Sequence, residues 1–578
     1  MYAFKAVLAA LALVAATGAG QTSAKSNSVS ISPNNNEMVS GEATAVAPAT
    51  NDVVSSMDAI TTPRMMSYQG KLPDAAAATP QRWLCGLPEL SVRDVKLARP
   101  ARPTLSGTVS YRVKTHFRIH YTTSGVDATT LRYAELTAVH AETSWARAVR
   151  LGWNTPPPDQ NVGGDNLYDI YIRALSGYAG VTPPDSAYTA LYPDGSSSWI
   201  EIIPNADTLG DLQTLVAHEF HHACQESYSV SERPLWWFYE NTSTWMEDLL
   251  FPGLGGLYSE TFWNPSPLTA TNLAINARAG NYEYPGGMWP KFLAEYYDLA
   301  APRRIWDLGG RHAGDHIQQD TDSILRTYYS TYLQTAVGHY AIWRYFTGSR
   351  DDNLHYISAE RCTAAVVHAR HTTYPASGNQ GTRSPRGPGG TTLVEFVTSG
   401  SQDITINFDG QDGYDWRAYV LARRGGVTYE QYMLLGAGGG GSITIPAWMV
   451  TTAVLVPVAS EWSDAADSTP ALTFSYSASV NDNPTGLAGE GARQPALELF
   501  APSPVRGPAT LRYVLPQGVK GTLRVTDAAG RLAQEFALEG TGRAAVVTMG
   551  REAVPAGVYL CQLAAGGDVL QSKLVMQQ

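Results

Sequence analysis

The chain has 578 residues, which is too many for one domain, so three or four domains are expected. Its net charge of −11 and the absence of a basic run argue against a nucleic-acid partner. Charged residues make up only 16% of the chain, and 53 glycines and 35 prolines interrupt it. This composition excludes a coiled coil and a fully disordered chain, and it favours a turn-rich extracellular protein.

The chain begins with a segment typical of secretory signal peptides. Residues 1–24 carry one early positive charge, Lys5, then an apolar stretch of Ala, Leu and Val, then small residues. Residues 25–105 show no sustained period and are predicted to be a leader or propeptide, largely unstructured. No later run of 18 apolar residues follows, so we expect a soluble mature chain without a transmembrane anchor, secreted or at the cell surface.

The next segment, residues 106–371, is predicted to be an α+β catalytic domain, because strand-like patterns come first and helical patterns follow. The predicted strands lie within 108–125, 165–175 and 196–204. The predicted helices lie within 128–152, 214–228, 233–250, 287–299 and 323–346.

Beyond residue 371 the hydrophobic period changes to two, which is typical of strands. The sequence therefore predicts two all-β sandwich domains, Ig-like or jelly-roll-like, joined by linkers rich in Gly and Pro. The predicted order is a linker at 372–390, a sandwich at 391–480, a linker at 481–495 and a C-terminal domain at 496–578.

The helical segment "TLVAHEFHHACQESY" contains the arrangement HExxH. Residues four apart lie on one face of a helix, so His218 and His222 can present both imidazoles to one metal ion. Glu219 lies beside them, where it can act as general base toward a water molecule. Neutral imidazoles suit Zn²⁺, and the pattern therefore predicts a catalytic zinc site.

A catalytic zinc site needs a third protein ligand, and the sequence offers three glutamates. Glu226 lies one turn after His222, but a single straight helix cannot easily wrap three ligands around a tetrahedral ion. Glu240 and Glu247 lie on the following helix, which can return antiparallel to the first. They are two turns apart, about 10 Å along the axis, so only one of them can reach the ion.

The two helices resemble those of the gluzincin metallopeptidases, especially the aminopeptidase-like branch, in which HExxH precedes a glutamate within "NEGFA[ST]-aromatic-x-E". The stretch "YENTSTWME" is similar, although Asn241 stands where that family usually has glycine. The chain also resembles a group of secreted bacterial gluzincin-like proteins with "HEFxHxxQ" and "WxxE-x-x-[ST]-x-WMED" helices, and this resemblance covers about residues 110–350. The resemblance to gluzincins implies that His218, His222 and Glu240 are the zinc ligands and that Glu219 is the general base.

The same resemblance implies a Tyr or His that stabilises the oxyanion formed during peptide hydrolysis. Tyr284, beside glycines at the start of a later helix, is the preferred candidate, and His312 and His316 are alternatives. The strand Ser196–Pro204 is a candidate edge for pairing with a peptide substrate, or else an ordinary interior strand.

Cys85 lies in "RWLCGLPEL", which is similar to the cysteine switch of matrixin propeptides. It could cap the zinc as a thiolate or form a disulfide, and the disulfide is favoured. With Cys224, Cys362 and Cys561 it allows one or two disulfides. The group Asp409, Asp412 and Asp415 could bind Ca²⁺, but its spacing is not that of an EF-hand and a polar turn is favoured.

The last 80 or so residues, ending "GVYLCQLAAGGDVLQSKLVMQQ", resemble the sorting domains of type-nine secretion. The resemblance implies that the secretion machinery is a partner and that the chain crosses the outer membrane. We expect a secreted zinc metallopeptidase that acts on peptides or proteins. The competing hypothesis is a cell-surface adhesin or scaffold whose zinc site is structural or vestigial.

Overall fold

A computed structural model describes residues 84–86, 101–206, 208–230, 236–254, 256–312, 316–463, 470–481, 498–500 and most of 509–576. The predicted signal peptide, most of the leader, Pro234 and nearly all of the 481–495 linker lie outside the described residues. The described residues all belong to one of the two compact units into which the chain divides. Their architecture combines helices with several β-sheets, as the sequence indicates.

The first part of the described chain forms a mixed six-stranded sheet with strand order β1-β5-β8-β4-β3-β2. β3 and β4 pair in parallel, as do β4 and β8, whereas β5 runs antiparallel to β8. A separate two-stranded ribbon joins β6 to β7. These strands are β1 (Leu84–Gly86), β2 (Val109–Val113), β3 (Phe117–Thr122), β4 (Tyr168–Ile172), β5 (Tyr178–Val181), β6 (Pro184–Ala187), β7 (Ser196–Ser198) and β8 (Ile200–Ile202).

Two of the sequence predictions concern this sheet. Part of the predicted leader, β1, pairs in parallel with β5, and this pairing places Cys85 opposite Gly180. In the candidate substrate edge Ser196–Pro204, β8 is an interior strand, which was the other alternative, because it lies between β5 and β4 and pairs with both. The residues of β8 are all buried, which is typical of an interior strand.

Eight α-helices in the described part cover and extend this sheet. They are α1 (Leu131–Arg150), α2 (Leu209–Glu226), α3 (Trp236–Leu250), α4 (Gly256–Glu260), α5 (Met288–Tyr296), α6 (Ala301–Arg311), α7 (Ile317–Tyr329) and α8 (Leu333–Tyr345). The predicted helix at 323–346 is two helices, because Ser330 adopts a left-handed conformation and ends α7. No helix among the described residues has the length and apolar character required to cross a bilayer.

Local sequence explains why α1 and α2 begin where they do. The side chains of Thr130 and Thr208 each accept a hydrogen bond from the backbone N–H of the residue three positions later, which caps the helix. α1 buries a row of alanines, and their small size allows the helix to lie close to its neighbours. α2 is buried along almost its whole length, from Thr214 onward, so its polar side chains must find partners inside the protein.

Residues 367–481 form a β-sandwich of a five-stranded sheet, β14-β13-β16-β11-β9, and a four-stranded sheet, β10-β17-β12-β15. Two of its strands, β9 and β10, begin it before the predicted boundary, and β10 lies inside the segment predicted to be a linker. The strands are β9 (Val367–His371), β10 (Ala376–Asn379), β11 (Leu393–Val397), β12 (Asp403–Gly410), β13 (Trp416–Arg424), β14 (Val427–Met433), β15 (Gly440–Ile445), β16 (Thr452–Ala459) and β17 (Phe474–Asn481).

The sandwich shares a hydrophobic core with the helices. Tyr419 and Leu421 of β13 face the helical cluster, whereas Val420 and Ala422 face the sandwich interior. Arg344 at the end of α8 is fully buried and donates hydrogen bonds to backbone carbonyls on both sides of this junction, including that of Gly389 at 2.5 Å.

The C-terminal strands form a second sandwich with its own core, built from a three-stranded sheet, β18-β19-β22, and a four-stranded sheet, β21-β20-β23-β24. The strands are β18 (Glu498–Phe500), β19 (Ala509–Val514), β20 (Lys520–Asp527), β21 (Leu532–Glu539), β22 (Ala544–Met549), β23 (Gly557–Ala565) and β24 (Asp568–Met576).

Candidate metal centre

The histidines of α2 and a glutamate of α3 converge at the centre of the helical region. His218 Nε2 lies 3.1 Å from Glu240 Oε2, and His222 Nε2 lies 3.6 Å from the same oxygen. Within the described part of the chain, these three residues are the one group of His, Cys, Asp or Glu side chains positioned to hold a metal ion. All three are buried.

The second nitrogen of each imidazole is held by a hydrogen-bond acceptor. His218 Nδ1 lies 2.8 Å from Glu247 Oε1, and His222 Nδ1 lies 2.7 Å from Gln225 Oε1. If each Nδ1 carries the proton and donates it to that oxygen, both Nε2 atoms present lone pairs toward Glu240. Such outer hydrogen bonds orient histidine ligands in metal sites.

The donor set therefore fits a divalent metal ion, and the contacts without a metal support this assignment. The 3.6 Å between His222 Nε2 and Glu240 Oε2 is too long for a hydrogen bond. Glu240 Oε1 is buried and has no hydrogen-bond partner among the described residues. A metal ion would give a partner to His222 Nε2 and to Glu240 Oε1. Without a partner, these buried polar atoms are costly. Two imidazole nitrogens and one carboxylate oxygen are a donor set that zinc accepts.

Electrostatics in the cluster reflect the two carboxylates around His218. Burial alone would lower the pKa of His218, but its contacts with Glu240 and Glu247 raise that pKa well above its ordinary value. Burial likewise favours the neutral form of Glu240, yet the two imidazoles lower its pKa overall. The neighbouring His221 behaves differently, because burial and the adjacent histidines lower its pKa well below the ordinary value.

Helices α2 and α3 run antiparallel, which the spacing between His222 and Glu240 allows, because His218 contacts Glu247 whereas Gln225, two turns later in α2, contacts the earlier Tyr239 of α3. Gln225 fixes their register: its amide nitrogen donates to the carbonyl of Tyr239 at 3.0 Å and to the hydroxyl of Thr242 at 2.6 Å. Sequence reasoning did not assign Gln225 this role, although its position three residues after His222 was a signal for it.

Glu219, the predicted general base, is fully buried beside the cluster. The hydroxyl of Thr182 lies 2.6 Å from Glu219 Oε2. Thr182 directly follows β5, a four-residue strand in a Gly- and Pro-rich stretch that the sequence did not predict. The site therefore includes a residue that no motif indicated.

Tyr284, the predicted oxyanion donor, lies next to His218. It precedes the 3-10 turn Pro285–Gly287 that leads into α5, and its ring stacks on His218 with centroids 6.1 Å apart. Trp263 packs edge-on against its ring. The alternative His312 lies with its Nε2 3.8 Å from Asp320 Oδ1, and His316 immediately precedes α7.

The other candidate sites do not come together in the described chain. Glu226 is buried at the end of α2, but it does not belong to the metal-ligand group. Asp409, Asp412 and Asp415 form no such group either, so the described structure gives calcium no support. Cys224, Cys362 and Cys561 are buried free thiols. The side chain of Cys85 lies outside the described part.

Comparisons with known proteins give no family for this chain. No protein-family model matches it, and no curated protein matches it. Among solved structures, an apo β-glucuronidase from Ruminococcus gnavus has a TM-score of 0.12 at 10% identity, with 32% of this chain and 35% of that chain covered. The β-glucuronidase of Faecalibacterium prausnitzii has a TM-score of 0.13 at 12% identity, with 32% and 37% covered.

The BSP domain of a biofilm associated protein is also similar, with a TM-score of 0.12 at 9% identity, covering 42% of this chain and 55% of that chain. The chain spans about a third of the length of the β-glucuronidases. Similarity at this level says nothing about activity.

Proposed function

We propose that this protein is a zinc-dependent metallopeptidase. The observation that carries the proposal is the convergence of His218, His222 and Glu240 beside a buried Glu219 on the same helix as the two histidines. A purely structural zinc site has four closed protein ligands, whereas a catalytic site has three and keeps one position open. Three ligands with an adjacent carboxylate therefore favour catalysis over the alternative of a structural site in an adhesin or scaffold.

The chain's own residues supply the proton transfers of peptide hydrolysis. When bound, zinc supplies a Lewis acid that acidifies water and polarises the scissile carbonyl. Glu219 then removes the proton from the attacking water and passes it to the leaving amine. Tyr284 donates a hydrogen bond to the developing oxyanion, and its stacking on His218 holds its ring beside the ligands.

We infer that a peptide substrate pairs with β5. β5 carries Gly180 directly over the side chain of Glu219, so a peptide paired with β5 would pass beside the general base. β1 of the leader occupies that side of β5. We therefore infer that the leader, which contains the segment around Cys85, must be removed or displaced before a substrate can bind.

The resemblance to gluzincins and to type-nine sorting domains completes the proposal. We infer that the helical region is a gluzincin-like catalytic domain and that the C-terminal sandwich directs export to the cell surface or medium. The C-terminal sandwich has its own hydrophobic core, which supports its recognition by the secretion machinery as an independent module. Deletion of residues 496–578 should leave the protein inside the producing cell, detectable by fractionation, while zinc binding of the remainder is unchanged.

The decisive experiment is hydrolysis of casein or a peptide library by the purified protein after removal of its leader, with and without a chelator. Metal analysis should find about one zinc per chain. Glu219→Gln should abolish hydrolysis while zinc stays bound, because the residue transfers protons and is not a ligand. Full activity in that variant would refute the mechanism, and bound zinc without any hydrolysis would favour the adhesin or scaffold.

A further inference from the structure

The side chain of Glu219 rests against β5 in a position that two residues define. Gly180 leaves room for it: a Cβ at this position would lie 2.5 Å from Glu219 Oε1 and 2.7 Å from its Cγ and Cδ. Thr182 follows two residues later, and its hydroxyl lies 2.6 Å from Glu219 Oε2. Because side chains alternate along an extended chain, positions 180 and 182 face the same side of the sheet.

The Thr182 contact is a specific hydrogen bond rather than incidental packing. Its hydroxyl also lies 3.1 Å from the backbone carbonyl of Glu219, but it has one proton to donate and the carboxylate oxygen is closer. Hydrogen bonds to an ionised acceptor are shorter and stronger than neutral ones. Thr182 and Glu219 are both fully buried, so water cannot easily replace this bond.

We propose that Gly180 and Thr182 form a carboxylate seat that positions Glu219 for proton transfer. The inference rests on the proposed function and assigns both as positioning residues. The empty space at Gly180 admits the carboxylate, and the Thr182 hydroxyl selects its orientation by holding Oε2. A free glutamate side chain has several rotamers, and only those directed at the reacting water serve as a base.

Two substitutions disturb the carboxylate seat, one by removing its hydrogen-bond donor and the other by filling the space at Gly180. Thr182→Val keeps the shape but removes the donor, and should lower kcat about 10- to 100-fold, as losses of outer hydrogen bonds do. Thr182→Ser restores the hydroxyl and should restore most of kcat. Gly180→Ala forces the flexible end of Glu219 aside and should lower kcat toward the loss for a missing base, about 10²- to 10⁴-fold. Zinc content should stay unchanged in all three variants, and KM should stay unchanged in the two Thr182 variants.

Matched controls exist on α2. Thr214→Val removes a hydroxyl that bonds only the backbone of its own helix, and Gly210→Ala adds a Cβ with no contact closer than 3.5 Å. Neither should change kcat. A Thr182→Val variant within twofold of the parent kcat, in a protein that hydrolyses peptides, would overturn the seat and leave the proposed function standing.

Thermal unfolding tests the carboxylate seat without relying on activity. In the metal-free protein, Thr182→Val should lower the midpoint of thermal unfolding, because Glu219 loses a buried partner. In a Glu219→Met background, which has no carboxylate, the same substitution should lower it by less than half as much. Equal shifts in the two backgrounds would overturn the inference. If the protein hydrolyses no peptide, the proposed function fails and this cycle still decides whether the seat exists.

Discussion

The two glutamates of α3 that contact His218 provide a sharp test of the metal centre. Glu240 approaches the Nε2 atoms of both histidines, whereas Glu247 contacts only His218 Nδ1, on the far side of that ring. Glu240 should therefore be a ligand and Glu247 an outer partner. Replacing them should weaken zinc binding by different amounts, which competition with a chromophoric chelator can measure.

The magnitudes follow from these roles. Protein zinc sites bind with on the order of 10–16 kcal/mol, so losing one of three ligands in Glu240→Ala should cost about 3–5 kcal/mol, or about two to four orders of magnitude in affinity. Glu247→Gln keeps an acceptor near Nδ1 but removes its charge, and outer-partner losses are about 10- to 100-fold.

Glu295→Gln is the control, because it neutralises a buried glutamate that pairs with Lys291 instead of a histidine. It should leave zinc affinity unchanged. Equal zinc loss in Glu240→Ala and Glu247→Gln would show that the assignment of ligand and outer partner is wrong.

Tyr284→Phe should lower kcat about 10²- to 10³-fold with zinc affinity unchanged, and an unaltered kcat would exclude it as the oxyanion donor. A chain beginning at residue 101 should hydrolyse peptides faster than one that retains β1, and equal rates would exclude latency. Burial lowers the pKa of His140 to about 4. As the pH falls, the unfolded state therefore binds a proton near pH 6.5, before the folded state does, and the free energy of unfolding decreases between pH 6.5 and 4. Denaturant titrations should show that His140→Gln reduces the stability lost between pH 7 and 4.5 by about 2–3 kcal/mol, and an unchanged loss would contradict this origin.

Much of the metal centre could be predicted because its residues lie on helices. Helical spacing places His218 and His222 on one face of α2. Glu240 lies 18 positions after His222, which allows α3 to return antiparallel to α2. These constraints are local or nearly so. The contacts of Glu247 and Gln225 with the imidazoles follow from the same periodicity once the two helices are paired.

The strand beside Glu219 could not be predicted from its residues. β5 has four residues and contains Gly180, and "GYAGVTPP" has the composition of a turn. Its strand conformation comes from pairing with β8 and β1, which are distant in sequence. Thr182 carries no motif for the same reason, because its role depends on where β5 lies relative to α2.

The apolar residues of β16 predict more than a strand, because they occupy both of its faces. "AVLVPVA" in β16 does not alternate, and every residue after the first in this strand is buried. A strand that is apolar on both faces is covered on both faces. β16 lies in the centre of its sheet, with one face on the sandwich core and the other on the helical core. Such a run therefore predicts a sheet whose outer face packs against another domain. It does not fit a sandwich that a linker holds apart from its neighbour.

Asn241 stands where the gluzincin pattern usually has glycine, and its side chain has two partners in the structure. With its amide nitrogen directed toward them, Asn241 donates to the backbone carbonyls of Trp237 at 3.2 Å and Glu283 at 2.5 Å. A side chain at Gly286 would collide with this amide, so the glycine accommodates the asparagine. Because Glu283 immediately precedes Tyr284, these bonds tie the helix that carries Glu240 to the segment that carries the tyrosine. Asn241 therefore links the helix of Glu240, the proposed third ligand, to the proposed oxyanion donor through a buried bond that a glycine could not make.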